Sequence, residues 1–363
     1  MSRKYKYTIL VRFSNPGTNN VLLTRQIPYH NSHNSSYMDH VEIKERSIKL
    51  TMSRANRSEL SSIFDNANTA LVHQLTKCLA YYYCSVSNNA LISSITVSRH
   101  INGRLQDRQT LKSNVISQVV TTSTDMSLLA QVNRSELETI FDENDKGRSL
   151  LYTVTHLIRA LSSEEPFFSF ENTWKSFNAI YKEKEQLQRD SDCLRNLRSH
   201  MLSNSHEYPL SISHVSGMTS EQIFVDVNWR RMVLNDFPTH TSQAGDFKGF
   251  VERQNDVRII KKIRDTLTLR ADHLQKDGST FYTLVLNHIS TIEAANSHVD
   301  IEVVAFLCLK YLYFQRNKIM HAERIDSSFH IVINDSNEER KIQNCKVVLL
   351  KLIIDLINFN SRF

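Results

Sequence analysis

The residues of this 363-residue chain best suited to chemistry lie near its C-terminal end, in the run YFQRNKIMHAERID at 313–326. Arg316, Asn317 and His321 form an arginine–asparagine–three-residue–histidine pattern there. Histidine serves as a general acid or base near neutral pH because its unperturbed pKa is about 6.5. The planar guanidinium of arginine fits phosphate oxygens. The three residues therefore suit acid–base chemistry beside a phosphate, or they are polar residues at a helix end.

The spacing alone does not select this site, because the chain has many arginines and 15 histidines. The same spacing recurs at Arg25–His30 and Arg195–His200, and Asn196 gives the Arg195 motif the asparagine as well. The context favours Arg316, which follows the apolar run DIEVVAFLCLKYLYFQ and precedes another apolar segment. The Arg195 motif lies in the polar stretch QRDSDCLRNLRSHMLSNSH, which indicates a solvated surface helix. We therefore select Arg316, Asn317 and His321.

The five-residue spacing sets a geometric condition on this site. Positions five apart on an ideal helix differ by about 140°, so Arg316 and His321 do not share a face. Asn317 and His321, four positions apart, do share one. Either the helix bends or ends within the motif, or the site combines groups from two chains.

Bulk composition indicates a folded protein rich in helix. Hydrophobic residues make up 40% and charged residues 23%, while 7 glycines and 5 prolines provide few helix breakers. The net charge of +6 is compatible with nucleic-acid binding. Five cysteines without a C-x-x-C pair favour free thiols in a reducing cytoplasm and argue against a zinc site.

Several functional classes are disfavoured by what the sequence lacks. We find no glycine-rich phosphate loop and no G-x-S-x-G elbow, so we expect neither ATP use nor a bound cofactor. The N-terminal residues MSRKYKYTIL lack the apolar core of a signal peptide, and the longest unbroken apolar run is short. These features predict a soluble cytoplasmic protein without a membrane span.

Residues 1–146 predict an α+β domain. The segments YKYTILVRF and VLLTRQIPY alternate like strands and flank the polar turn SNPGTNN, which indicates a hairpin. The segments VEIKERSIKLTMS and ALISSITVSRHINGRLQD indicate further strands. An internal repeat, NRSELSSIFD at 56–65 and NRSELETIFD at 133–142, precedes a helical pattern each time. It is either a duplicated strand–helix scaffold with its leucines and isoleucines packed inward, or a pair of ligand sites.

Residues 147–363 predict a helical domain, so the chain as a whole is mainly α. RSLLYTVTHLIRALSS has one apolar face, and Pro166 suits the first turn of the helix that follows. The polar segment 203–220 indicates a loop, and helical patterns resume after it. Ser336 and Glu339 form a capping box that begins the last apolar helix.

The run YFQRNKIMHAE after an apolar helix resembles the signature of HEPN-domain proteins, in particular abortive-infection-type members. FFSFENTWKSFNAIYKEK, with Trp174, Asn178 and Tyr181, is similar to a HEPN core helix. The resemblance covers residues 147–363. It implies a helical bundle that pairs as a two-fold homodimer, with both motifs forming one composite site. Many such proteins are metal-independent endoribonucleases of toxin or anti-phage systems, whereas others only bind RNA, nucleotides or protein partners.

The resemblance implies roles for the motif residues. Two copies of His321 would supply base and acid while a 2′-hydroxyl attacks its own phosphodiester, leaving a 2′,3′-cyclic phosphate. Arg316 would stabilise phosphate charge, and Asn317 would orient His321 or bind a phosphate oxygen. Three cations would guide the RNA backbone, namely Lys310, Lys318 and Arg324. Residues 1–146 would sense a protein or nucleic-acid trigger, restrain the enzyme or select the RNA. In the alternative, Arg316 pairs with a carboxylate such as Glu323 and His321 caps a helix end.

Overall fold

The structure is a computed structural model that describes residues 4–14, 18–28, 37–66, 69–121, 123–238, 242–275, 280–321 and 336–359. The chain divides into two compact units. Among the described residues, unit 1 runs up to Lys184, and unit 2 runs over Glu185–Phe359. A sheet-containing first part followed by helices confirms the predicted order of an α+β region and a helical region.

Unit 1 contains a six-stranded antiparallel sheet of order β2-β3-β4-β1-β5-β6. Its strands are β1 (Tyr5–Phe13), β2 (Val21–Pro28), β3 (Met38–Lys44), β4 (Ser47–Arg54), β5 (Ile92–Ile101) and β6 (Arg104–Lys112). Alternation along β1 buries Tyr7, Ile9 and Val11 on one face, as a half-buried strand requires. Asn102 and Gly103 join β5 to β6 with φ of 48° and 78°, the left-handed conformation that tight hairpin turns need.

The predicted hairpin of the first two strands is wrong. β1 pairs with β4 on one side and with β5 on the other, whereas β2 pairs with β3 at the edge of the sheet. The physical reason is strand character. The apolar β1 gains most from two neighbours, while the more polar β2, with Val21 57% exposed and a terminal Pro28, suits an edge. The predicted strands after residue 38 are confirmed.

Helix α1 (Ala70–Val86) covers the buried sheet face. The rings of Phe13 and Tyr82 stack with centroids 3.7 Å apart. Arg54 donates to both carboxylate oxygens of Asp39 at 2.7 Å, and Gln74 of α1 donates to the same carboxylate at 3.2 Å. This buried polar network fixes α1 on the sheet because each group would be costly to bury without its partners.

The repeated segment builds scaffold in both copies. The first contains a 3₁₀ turn before α1, and the second contains α2 (Arg134–Leu137) and a 3₁₀ turn before the next long helix. The equivalent leucines and isoleucines are all buried, which confirms inward packing: Leu60, Leu137, Ile63 and Ile140. Neither copy contains a strand, so the predicted strand–helix form is wrong.

Two long helices complete unit 1, α3 (Asp145–Ser162) and α4 (Pro166–Glu185). α4 starts at Pro166, as the sequence predicts, and its aromatic stripe is buried: Phe170, Trp174, Phe177 and Tyr181. α3 packs against α1, so these helices share unit 1 with the sheet. The unit boundary thus follows Lys184, whereas the sequence expectation divided the chain after residue 146.

Unit 2 is helical over its described residues. Its helices are α5 (Asp190–Ser203), α6 (Pro209–Val215), α7 (Ser220–Phe224), α8 (Trp229–Asp236), α9 (Ser242–Glu252), α10 (Val257–Thr266), α11 (Ala271–Gln275), α12 (Phe281–Ala295), α13 (Asp300–Ala305), α14 (Leu312–Met320) and α15 (Asn337–Asn358). Ser336 and Glu339 form the predicted capping box of α15, and the predicted apolar stripe of that helix is buried.

The predicted loop at 203–220 is wrong, because α6 forms within it. Pro209 occupies the first turn, where its missing N–H costs nothing. The buried carboxylate of Asp355, from the C-terminal part of α15, accepts the backbone N–H groups of Leu210 at 3.1 Å and Ser211 at 2.9 Å. A cap supplied by a residue so distant in sequence could not be read from the local pattern.

Candidate functional site

The motif lies at the end of a nearly continuous helix that starts at Asp300. α13 passes into a π-helical segment, Phe306–Tyr311, and then into α14. Val303, Val304 and Cys308 are buried on this helix, which packs against α6 and α15. The apolar helix predicted to deliver Arg316 is therefore confirmed. A π-helical turn is rare and is frequently found at functional sites. Its extra residue changes the direction in which the following side chains point.

The first turn of this helix is anchored by a buried ionic network. Asp256 caps α10 by accepting the N–H of Arg258 at 2.8 Å, and its carboxylate also accepts the N–H of Val299 at 2.6 Å. The Arg258 guanidinium bridges Asp256 and Asp300, each at 2.7 Å. Burial opposes ionisation, yet the hydrogen bonds from Arg258 and Val299 outweigh it and hold the pKa of Asp256 below its ordinary value.

A chain of hydroxyl and amide contacts fixes the middle of the same helix. Gln315 Nε2 donates to the Tyr311 hydroxyl at 2.7 Å, and that hydroxyl donates to the carbonyl of Asp226 at 3.2 Å. The N–H of Asn228 donates to the Tyr311 hydroxyl at 3.1 Å. The helix turn immediately before Arg316 is therefore held against the connection between α7 and α8.

The motif residues occupy the last turn of α14. The helix ends at Met320, and the N–H of His321 donates to the carbonyl of Asn317 at 3.0 Å. Of the alternatives set by the five-residue spacing, the helix does end within the motif. Arg316 Nη1 donates to Asn317 Oδ1 at 2.9 Å. Arg316 and Asn317 are half-buried, and His321 is exposed. The arrangement holds a guanidinium beside an amide, with an accessible imidazole one turn further on.

The alternative partner proposed for Arg316, Glu323, lies outside the described residues, as does Arg324. Among the residues that the structure does describe, no carboxylate forms an ion pair with Arg316. Lys310 Nζ lies 2.6 Å from the Asp236 carboxylate and 4.8 Å from the centre of the Phe237 ring. Lys318 Nζ lies 5.7 Å from the ring centre of Phe314. The charge of Lys310 is thus already compensated by Asp236.

The similar motif at Arg195, Asn196 and His200 has a different environment. α5 is amphipathic, with Cys193, Leu197 and Met201 buried. The Arg195 side chain is 74% exposed and pairs with Asp192 at 3.5 Å, one turn earlier. His200 Nδ1 lies 2.8 Å from the Tyr208 hydroxyl. The imidazole of the Arg195 motif is therefore engaged in packing α5, whereas that of His321 is accessible.

A groove that sequence reasoning missed lies in the same unit as the motif. It has a volume of about 860 Å³ and is lined by α8, α10 and the start of α15. Its cations are Arg230, Arg231 and Lys262, and its acid is Glu338, which pairs with Arg231 at 3.5 Å. Arg230 and Lys262 form no ion pair with another residue in the described part of the chain. The lining of the groove therefore carries three cations and one acid.

The groove joins the motif helix through Asn228, which lines it and donates its N–H to Tyr311. The indole of Trp229 donates to Thr266 Oγ1 at 2.7 Å and is buried, so it fixes α8 against α10 beneath the cations. The sequence signal for this groove was the adjacent pair Arg230-Arg231 and the pair Lys261-Lys262 on amphipathic helices. Neither pair shows from sequence that the two helices meet.

All five cysteines are free and buried, and burial raises the pKa of the Cys345 thiol to about 12. Over the described ranges, no cluster of three histidine, cysteine, aspartate or glutamate side chains could hold a metal ion. None of the described helices has the length and apolar character needed to cross a membrane. Comparison with protein-family models, with curated proteins and with solved structures finds no match to this chain.

The two segments that carry the HEPN resemblance lie in different units. The segment with Trp174, Asn178 and Tyr181 belongs to α4 of unit 1, and the motif with Arg316 and His321 belongs to unit 2. Trp174 and Tyr181 are buried and both contact the ring of Phe177 on the same helix, so core packing accounts for their helical spacing. The motif and its helix in unit 2 are therefore the features on which a functional interpretation depends.

Proposed function

We propose that this protein is a metal-independent endoribonuclease that cleaves RNA at Arg316, Asn317 and His321. One observation carries the proposal: a helix anchored at its start and middle ends on a bonded Arg316–Asn317 pair and an exposed His321. Rigid support of this kind is what a catalytic group requires. The resemblance of the motif to that of HEPN-domain proteins supplies the substrate class, and the proposal extends to their role as toxins or anti-phage effectors.

The chemistry requires only groups that the motif supplies in two copies. The RNA 2′-oxygen bonds to the adjacent phosphorus while one His321 imidazole accepts its proton. The bond between phosphorus and the 5′-oxygen breaks, and the protonated His321 of a second chain donates a proton to that leaving oxygen. Arg316 donates to the phosphate oxygens as negative charge develops, with Asn317 fixing the guanidinium. The products are a 2′,3′-cyclic phosphate and a 5′-hydroxyl.

A homodimer belongs to this proposal because one chain supplies a single His321, and an acid and a base are both needed. The exposed position of His321 and Met320 at the helix end is compatible with a second copy approaching there. The cationic groove of Arg230 and Lys262 supports the choice of a phosphodiester substrate, since it offers positive charge on the same unit as the motif.

The test compares RNA cleavage in excess EDTA by the unaltered protein and by His321→Ala. We expect the variant to lose activity by about 100-fold or more, which is the usual contribution of a general acid or base. The matched control is Arg195→Ala/His200→Ala, which removes the similar motif of α5 and is expected to cleave normally. Cleavage lost in the control and kept in His321→Ala would move the site to α5. Binding without cleavage by the unaltered protein would instead support the alternative of an inactive, RNA-binding HEPN-like dimer.

A further inference from the structure

The open face of the six-stranded sheet has a strongly one-sided charge. α1 covers the other face, so the side chains that alternate with the buried ones point away from the core. Six cations occupy positions on this open face: Lys6, Arg12, Lys44, Lys49, Arg108 and Lys112. The acid on the same face in the described strands is Glu42. All of these cations except the half-buried Lys44 are exposed.

Strand register places these cations in neighbouring rows. Arg12 lies opposite Ser94, which lies opposite Lys112, so Arg12 and Lys112 are two strands apart, a separation of about 10 Å. Arg108 lies opposite Ser98, which in turn faces Thr8 of the central strand. Serine and threonine hydroxyls therefore lie between the cations, and they can donate hydrogen bonds to phosphate oxygens.

The charge of this face is largely uncompensated. Glu42 is already paired with Lys44 at 2.7 Å. The hydrogen bond from Lys44, with further attraction to Lys49 and His40, holds the pKa of Glu42 below its ordinary value. On the β1-β5-β6 side, Asp107 of β6 pairs with Arg99 on the opposite, covered face. Lys6, Arg12, Arg108 and Lys112 have no ion pair within the described residues.

We infer that the open sheet face binds the phosphate backbone of RNA without reading its sequence. The choice of RNA rests on the proposed function, whereas the fit to a phosphate backbone rests on the charge and register of this face. The open-face positions of β1, β4 and β5 hold no phenylalanine, tyrosine or tryptophan on which a base could stack. These positions therefore suit contacts to the phosphate backbone and not to the bases. Two exposed apolar side chains do lie on this face, Met38 of β3 and Leu105 of β6, so the lipid-vesicle measurement in the test is what separates RNA from a membrane surface.

The test measures binding of a labelled single-stranded RNA by fluorescence anisotropy over a range of salt concentrations. The parent protein carries His321→Ala, so the RNA stays whole and the result does not depend on cleavage. The face variant is Arg12→Glu/Arg108→Glu. The matched control is Arg148→Glu/Lys175→Glu, which changes the net charge equally at two exposed arginine and lysine positions on α3 and α4.

We expect the face variant to bind RNA at least about tenfold more weakly than the parent, with the control close to the parent. The slope of log affinity against log salt should fall by about 0.7 for each contact removed. Arg12→Gln/Arg108→Gln, which introduces no repulsion in the sheet, should show the same direction and a smaller loss. The inference is overturned if the face variants bind RNA as tightly as the parent does, or if the control variant loses as much RNA affinity as the face variant. It is also overturned if the face variants change only the binding to anionic lipid vesicles. Cleavage by the unaltered protein is a separate measurement, so failure of the nuclease proposal would be seen independently.

Discussion

At the scale of single residues, the proposed site depends on the contact between Arg316 and Asn317. The guanidinium donates to the amide oxygen at 2.9 Å, and this removes rotational freedom that a long arginine side chain otherwise keeps. Asn317 also accepts the N–H of His321 through its backbone carbonyl, so its position couples the arginine and the histidine of the motif. Its side chain therefore acts on the arginine and its backbone on the histidine.

Replacing Asn317 with alanine separates these two roles. We expect Asn317→Ala to leave the helix end intact, because the backbone bond remains, and to lower kcat for RNA cleavage by about 10- to 100-fold through a misplaced arginine. KM should change far less than kcat. The matched control is Asn196→Ala, which alters the equivalent, exposed asparagine of the similar motif in α5. Equal kinetics for the two variants would contradict a positioning role for Asn317.

The candidate site could be selected from the sequence and its catalytic role stays a prediction, whereas its surroundings could not be foreseen. The apolar residues before Arg316 predicted a supporting helix. The five-residue spacing left open a helix end, a bend or a site shared by two chains, and the helix ends at Met320. Lys310 was selected by its proximity in sequence, but its partner Asp236 lies on another helix. Arg230 and Lys262 were overlooked because their common groove exists only after α8 and α10 pack together.

At the scale of elements, the motif-bearing helix is positioned from its start. The buried Asp256 and Arg258 form a network there with the half-buried Asp300, and none of them stands out from ordinary surface charges in the sequence. Removing one partner of a buried ion pair strongly destabilises the folded protein, because the other charge is left buried without compensation. The position of the motif thus depends on charges far from it along the chain.

Asp256→Asn tests this anchor through its pH dependence. The pKa of Asp256 is below its ordinary value in the folded chain, so the ionised carboxylate adds stability above the unfolded pKa. That stability is lost as the pH falls through the lower, folded value. We expect Asp256→Asn to lower the free energy of unfolding by about 3 kcal/mol at pH 7, with the deficit shrinking below about pH 4. Urea unfolding at several pH values measures it.

The control for this prediction is Asp272→Asn, at an exposed aspartate of α11. Because an exposed carboxylate contributes little, we expect that variant to unfold within about 0.5 kcal/mol of the unaltered protein at each pH. A deficit for Asp256→Asn that stays constant from pH 7 to the acid range would show that the carboxylate charge is not what stabilises the start of α13.

Sequence periodicity predicted most elements, and the errors have physical causes. The helices with strong apolar stripes were found because their spacing is a local property. The first hairpin was predicted wrongly because adjacency in sequence outweighed the preference of the apolar β1 for a central place between β4 and β5. α6 was missed because its cap, Asp355, comes from α15.

At the scale of the whole molecule, the two units offer different contributions. Unit 2 carries the motif and the groove, and unit 1 carries the cationic sheet face. A net charge of +6 gave only a general indication of a polyanionic partner. The register of β1, β5 and β6 shows that part of this charge is gathered on one open face. Composition could not reveal that gathering, because it depends on which strands become neighbours.

The most direct test of the central claim is the chemical nature of the RNA ends produced in excess EDTA. Mass spectrometry of the fragments distinguishes a 2′,3′-cyclic phosphate from an ordinary phosphate and a 5′-hydroxyl from a 5′-phosphate. We predict cyclic phosphate and 5′-hydroxyl ends from the unaltered protein and no fragments above background from His321→Ala. Fragments with 5′-phosphate ends, or identical fragments from both proteins, would contradict cleavage by 2′-hydroxyl attack at Arg316, Asn317 and His321.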